Sequence, residues 1–254
     1  MIGPPVADIA LSPKMSEAIY KSYQPTDFEG RSIAVKVVLK LGTVLGSPPD
    51  PKLVEKYAEV VSGLTSEGHS LAVVVGGGQV ARRFVESARS LGLSSFQQDT
   101  IAIFATRLNA RLVAMKLGGV SSVPTSIESI LQRLSRNRVA VMGGLRPGFT
   151  TDAVAVLIAE KWNADLLIKG ADQDGIYTAD PKLDKKAKKL DKISYERMEQ
   201  ILGGKHKPGI RSILDPIAVE HLMKSRIKLV VLNGSDPRNL LKAIRGEKVG
   251  TTVS

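Results

Sequence analysis

LAVVVGGGQVARRFVESARSL, residues 71–91, decides the fold. Leu71 to Val75 is an apolar run that predicts a buried strand. Gly76, Gly77 and Gly78 follow at once, and Val80, Phe84, Val85 and Ala88 then recur at helical spacing. The glycines therefore join the end of a strand to the start of a helix, which is the repeating unit of a parallel sheet.

The same alternation extends in both directions. Upstream, Ile33 to Leu39 predicts a central strand that delivers Lys40 to a turn at Gly42 and Thr43, and residues 52–66 predict a helix after a Pro-rich loop. Lys40, as a strand-end side chain, is expected to make few buried contacts. Downstream, a helix is predicted over Asp99–Lys116, with Ile101, Ala105, Leu108 and Leu112 on one stripe. A strand at Arg138–Met142 enters GGLRPGFTTD, where Thr151 or Asp152 can cap a helix that turns Val154, Leu157 and Ile158 to the core. Then come a strand at Asp165–Ile168, a Gly- and Asp-rich loop from Lys169 to Pro181, helices at Ser194–Leu202 and Asp215–Lys224, and a last central strand at Leu229–Leu232. The expected class is α/β, with a mostly parallel central sheet covered on both faces. Residues 1–32, with four prolines and no sustained period, are expected to be an N-terminal extension to a single domain over 33–254.

Composition sets limits on function. Aromatic residues are only 4% of the 254, so the core is aliphatic, as suits parallel strands. No segment is long and apolar enough for a membrane span and no signal pattern opens the chain, so a cytoplasmic protein is expected. There is no Cys, which excludes disulfides and thiolate metal sites. The net charge of +11 favours anionic ligands. Part of it sits in Lys182–Lys192, where six lysines face only Asp184 and Asp191 without interleaved aromatics, so an exposed loop is expected and nucleic acid is not.

Four glycine turns follow predicted strands, at Gly42, Gly76–Gly78, Gly143–Gly144 and Gly170. In a parallel sheet they converge on the carboxyl edge, where ligands bind, and glycine lets backbone N–H groups approach phosphate oxygens. Phosphoryl transfer needs positioned cations around the moving group. Lys40 is placed for that task. Arg82, in the first turn after the triple glycine, can clamp a phosphate. Thr150, Thr151 and Asp152 can offer hydroxyls to a phosphate and a carboxylate to orient a metal or a Lys, although an ordinary helix cap needs only one of them. Asp172, Asp174, Tyr177 and Asp180 suit ribose hydroxyls and base edges, with Lys169 as the compensating cation.

Other chemistries lack their signatures. Gly76, Gly78 and Ala81 meet the loose G-x-G-x-x-A pattern, but Asp99 opens a helix where a dinucleotide site needs a strand end. No Walker A motif and no G-x-S-x-G element occur, and His69, His206 and His221 have no metal-ligand spacing, so no resident metal site is expected.

Taken together, VVVGGGQVAR (73–82), DTIAIFATRLNA (99–110), GGLRPGFTTDAVA (143–155), DGIYTADP (174–181), LDPIAVE (214–220) and GEKVGTTV (246–253) resemble the amino acid kinase superfamily, and within it the uridylate kinases of archaeal type. The resemblance implies a three-layer α/β/α sandwich that transfers a phosphoryl group from ATP, with magnesium held mainly through nucleotide phosphates, to UMP in pyrimidine nucleotide biosynthesis. It implies an acceptor part over 33–164 and an ATP part over 165–254. Lys40 and Lys169 would stabilise the transferred group and Asp152 would organise the cations. Gly77, Gly78, Arg82, Asp99 and the turn Leu145, Gly148, Phe149, Thr150 and Thr151 would hold the acceptor. Gly42, Thr43, Gly78, Arg82, Lys169, Asp172, Asp174, Tyr177 and Asp180 would hold ATP. Such enzymes are commonly homohexamers built from dimers, with the helix from Asp99 at an interface.

The sequence departs from relatives in KLGTVL at the first loop, in GADQDG at the ATP loop and in residues 1–32. Rival readings are a superfamily member acting on isopentenyl phosphate or acetylglutamate, and a non-catalytic nucleotide- or nucleic-acid-binding regulator that uses the basic surface.

Overall fold

A seven-stranded sheet in the order β3-β2-β1-β4-β6-β7-β5 organises the chain. Its strands are β1 (Lys36–Leu41), β2 (Ser70–Val75), β3 (Val139–Met142), β4 (Leu166–Ala171), β5 (Lys192–Ile193), β6 (Leu229–Asn233) and β7 (Thr251–Val253). Every neighbouring pair is parallel except β6–β7. The helices are α1 (Pro51–Ser66), α2 (Gly78–Ser90), α3 (Ser95–Lys116), α4 (Ile127–Leu134), α5 (Thr151–Trp162), α6 (Tyr195–Leu202), α7 (Pro216–Ser225) and α8 (Arg238–Ile244). The computed structural model describes residues 34–118, 122–202 and 213–254; the extension expected over 1–32, and His206, lie outside these.

Strand alternation distributes the core into two layers. Val38, Val74, Met142, Leu167 and Val231 join a cluster with Ile130, Val154, Ile158, Met198 and Leu222, from α4, α5, α6 and α7. The intervening strand residues, among them Leu39, Val73 and Ile168, are equally buried and face the other side. There α1, α3 and α8 pack on the sheet and α2 packs on α3. The expected α/β/α sandwich is the observed one.

Two helices face differently from the sequence expectation. Leu108 and Leu112, expected on the core stripe of α3, are 66% and 44% exposed, while Ile103, Ala110 and Val113 are buried in their place. Phe84 of α2 is likewise 57% exposed, and Ala81 and Ala88 carry the packing. For α3 the physical reason is that apolar residues lie on more than one side, so periodicity cannot tell which side meets the sheet, whereas α2 has a single apolar stripe that packs on α3 and leaves Phe84 beyond the contact.

Other differences are local. α3 begins before Asp99, because Ser94 and Gln97 form a reciprocal capping box. Thr150, not Thr151 or Asp152, caps α5 by accepting from the Ala153 amide at 3.1 Å. β4 runs on through Lys169 and Gly170 to Ala171, so these residues belong to the strand and not to the loop after it. The short elements α4, α8, β5 and β7 have no counterpart in the sequence reading.

Candidate active site

Register in the sheet places the central pair of cations. Lys40 of β1 and Lys169 of β4 are direct partners across parallel strands, so their side chains leave the same face side by side near the carboxyl edge. That face is the one covered by α5. Because Thr150 takes the capping position, Asp152 falls in the first turn of α5 with its carboxylate free to point down at both lysines. Lys169 Nζ donates to the two carboxylate oxygens at 2.6 Å each, and Lys40 Nζ lies 2.9 Å from Oδ1. A negative group there also suits the positive end of the helix dipole.

Lys40 and Lys169 are each only 8% exposed. The expectation of few buried contacts for Lys40 is therefore corrected: α5 roofs the strand end and draws the ammonium under Asp152. Burial favours the neutral carboxyl, but the charges of Lys169 and Lys40 outweigh it and hold Asp152 down at about 2. Burial lowers Lys169 to about 8, with the Lys40 charge acting in the same direction and Asp152 opposing both. Two ammonium groups against one carboxylate leave the trio net positive, a buried arrangement suited to an incoming anion.

The cleft above the trio is lined by Gly42, Thr43 and Arg82 on one side and by Asp172, Asp180 and Lys182 on the other. A Cβ at Gly42 would stand 2.7 Å from Lys40 Nζ, so a side chain there would push the ammonium from its place. Arg82 Nη2 reaches Thr43 Oγ1 at 3.3 Å, which ties α2 to the β1 turn. Asp172 lies 3.6 Å from Lys182, and Asp180 accepts from the Lys182 amide. Asp174 and Tyr177 stand outside this lining: Asp174 accepts from Asn233 Nδ2 at 2.9 Å, and Tyr177 forms an isolated bridge with Lys189.

The residues predicted for the acceptor gather on the β2 and β3 side. Gly77 and Gly78 precede and open α2; a Cβ on Gly77 would stand 2.4 Å from that of Ala81, so packing alone already demands glycine there. Ser47 Oγ accepts from the Val80 amide at 2.6 Å and satisfies part of that helix terminus. Asp99 accepts from the Gly148 amide at 2.8 Å, which draws the turn Leu145–Thr151 onto α3. Thr150 also donates to Asp215, the cap of α7.

Several residues that shape the site have no assigned role in the sequence reading. Thr106 Oγ1 accepts from the Gly144 amide at 2.6 Å, Arg107 donates to the Gly144 and Leu145 carbonyls, and Asn109 Nδ2 donates to the Gly76 carbonyl at 3.0 Å. Gly234, after β6, packs against Gly170 and accepts from buried Tyr57 at 2.7 Å. Of the histidines, His69 is a satisfied core residue, with Nδ1 accepting from the Val35 amide at 3.2 Å. Among the described residues no group of three or more His, Cys, Asp or Glu could hold a metal, and no helix is long and apolar enough to cross a membrane.

The chain matches the amino acid kinase family over residues 35–233. A uridylate kinase of Hyperthermus butylicus is 41% identical over 220 residues, spanning 86% of this chain and 97% of that one. The crystal structure of uridylate kinase from Archaeoglobus fulgidus is 38% identical, covers 86% of this chain and all of its own, and superposes with a TM-score of 0.79. UMP kinase from Bacillus anthracis, at 22% identity, shares the fold with a TM-score of 0.73 over 86% of this chain and 95% of its own. The chain belongs to the amino acid kinase family.

Proposed function

From that membership and the buried Lys40–Asp152–Lys169 trio, we propose that the chain catalyses ATP-dependent phosphorylation of UMP to UDP. The trio is the observation that carries the reading. It puts two cations, net positive with their carboxylate, at the carboxyl edge of the sheet where the acceptor-side and ATP-side loops meet. The choice of UMP is supported by the uridylate kinases that match along nearly their whole length.

An oxygen of the UMP phosphate attacks the γ-phosphorus of ATP, and the bond to the β–γ bridging oxygen breaks to release ADP. The attacking oxygen is already ionised at neutral pH, since the second phosphate pKa is about 6, so no general base is needed. This fits a site in which the half-buried Asp152 carboxylate is already occupied by two lysines. Catalysis then rests on position and charge: Lys40 and Lys169 bind the equatorial oxygens of the transferred group, and Asp152 fixes both ammonium groups in place. A magnesium ion carried by the nucleotide phosphates would neutralise developing charge, and Asp152, Asp172 and Asp180 are the carboxylates that line the cleft beside it.

We assign the acceptor to the part over 33–164, held by Gly77, Gly78, Arg82, Asp99 and the turn of Leu145, Gly148, Phe149, Thr150 and Thr151. ATP goes to the part over 165–254, against Lys169, Asp172, Asp174, Tyr177 and Asp180, with Gly42, Thr43, Gly78 and Arg82 between the two nucleotides. The assembly is a homohexamer built from dimers, and the exposed Phe104, Leu108, Leu112 and Met115 along α3 supply an apolar face for a second copy. The cytoplasm is the expected location.

Purified protein with magnesium ATP tests the reading. UMP should yield UDP and ADP in equal amounts, faster than isopentenyl phosphate or acetylglutamate is converted. Turnover of another acceptor without conversion of UMP would sink it.

A further inference from the structure

The turn after β3 is moulded on α3, and one contact there does more than hold it. Arg107 Nε donates to the Gly144 carbonyl at 3.2 Å and Nη2 to the Leu145 carbonyl at 2.9 Å. Both peptides are trans. In a planar trans peptide the carbonyl and the N–H that follows it point in opposite directions. Fixing the two carbonyls on Arg107 therefore aims the N–H groups of Leu145 and Arg146 away from α3. Among the described residues neither N–H meets an acceptor, whereas the amides of Gly144, Gly148 and Phe149 are tied down, to Thr106, to Asp99 and to the Arg146 carbonyl.

The guanidinium is half-buried and forms no ion pair among the described residues. A carbonyl that accepts from a cation makes its own peptide N–H a stronger donor. Gly143 closes the arrangement: a Cβ there would stand 2.8 Å from the Arg107 backbone nitrogen, so the turn lies directly against the helix.

We propose that Arg107 is a positioning residue for the acceptor, which orients and polarises the Leu145 and Arg146 N–H groups toward oxygen atoms of the nucleoside monophosphate. This rests on the reading of the turn as the acceptor site. Arg107 itself touches no reacting atom. The oxygens belong either to the base or to the phosphate, and a comparison of UMP with CMP separates the two. Where UMP offers a carbonyl at position 4 of the base, CMP has an amino group that cannot accept from an N–H.

The test is steady-state kinetics on Arg107→Lys and Arg107→Gln, with UMP, CMP and ATP each varied and thermal unfolding measured in parallel. Lys keeps the charge but cannot span two carbonyls in a fixed fork. The KM for UMP should rise about 10- to 100-fold in Arg107→Gln, and by less in Arg107→Lys, with kcat and the KM for ATP within about threefold of wild type. A change in the UMP/CMP ratio assigns the N–H groups to the base; an equal shift assigns them to the phosphate. If Arg107→Gln fails to fold, Arg107→Lys alone decides by the same split. Wild-type constants in Arg107→Lys, or equal rises in both KM values, overturn the role of Arg107. A wild type that turns over no UMP overturns the acceptor reading along with it.

Discussion

Replacing Lys40 by Met and Asp152 by Asn should lower turnover alike and affect folding unequally. In the folded protein Asp152 meets Lys40 at 2.9 Å and Lys169 at 2.6 Å, with both lysines 8% exposed. At an effective dielectric constant of about 20, each contact is worth roughly 6 kcal/mol of attraction before desolvation is subtracted. Lys40→Met removes one cation, leaves Asp152 and Lys169 as a neutral pair, and refills the space with an unbranched chain of similar length. Such a swap is expected to change stability by less than about 1.5 kcal/mol. Asp152→Asn instead strands two buried ammonium groups, and breaking a buried pair costs about 3–5 kcal/mol. For a unit of this size that lowers Tm by roughly 6–20 °C. Turnover should fall about 100-fold or more in both, since each loses a charge at the transferred group. Urea unfolding and initial rates of UDP formation on the same preparations give the comparison. Equal destabilisation by the two substitutions would refute the charge argument, and a Lys40→Met enzyme with wild-type turnover would remove Lys40 from the reaction.

Two further outcomes follow from the same geometry. Lys169 sits at about 8 in the free protein, through burial and then the Lys40 charge, and bound phosphates raise it; the alkaline fall of kcat/KM should therefore begin at lower pH than the fall of kcat, and coincident profiles would argue against a protonated Lys169 in the reaction. Asp152, held at about 2 in the folded state, contributes stability that is present above its unfolded pKa near 4 and lost as pH falls toward 2; urea midpoints should show that loss in the wild type, and Asp152→Asn should lack it. On the surface, Leu108→Asp places a charge in the apolar stripe of α3, where Leu108 is 66% exposed in the monomer; light scattering should report a smaller assembly, and an unchanged mass would exclude this stripe from the contact.

The central strands are legible in the sequence because parallel strands buried on both faces read as uninterrupted apolar runs ended by glycine. Lys40 and Lys169 are legible for the same reason: each is a charge at the end of such a run. What the sequence does not contain is their register. Only the pairing of Lys40 with Lys169 across β1 and β4, and the cap at Thr150 that frees Asp152, turn three separated charges into one buried trio. The loop residues Asp174 and Tyr177 show the reverse case, since acidity alone could not say that Asp174 would be drawn to Asn233 at the end of β6.

Helix α3 shows why the turns after β2 and β3 are harder to place from sequence than the strands. Its apolar residues fall on two sides: Ile103, Ala110 and Val113 face inward, and Phe104, Leu108 and Met115 lie exposed on the described chain. A stripe drawn through Ile101, Ala105, Leu108 and Leu112 mixes the two. The informative residues are the polar ones between them. Thr106 and Asn109 are 7% and 6% exposed, and a buried polar side chain must find a partner or carry a desolvation cost of about 1–3 kcal/mol. A helix flanked by glycine turns offers backbone amides and carbonyls as partners for such side chains. Thr106 and Asn109 answer to the turns after β3 and β2 respectively, and Arg107 answers to the first of these again.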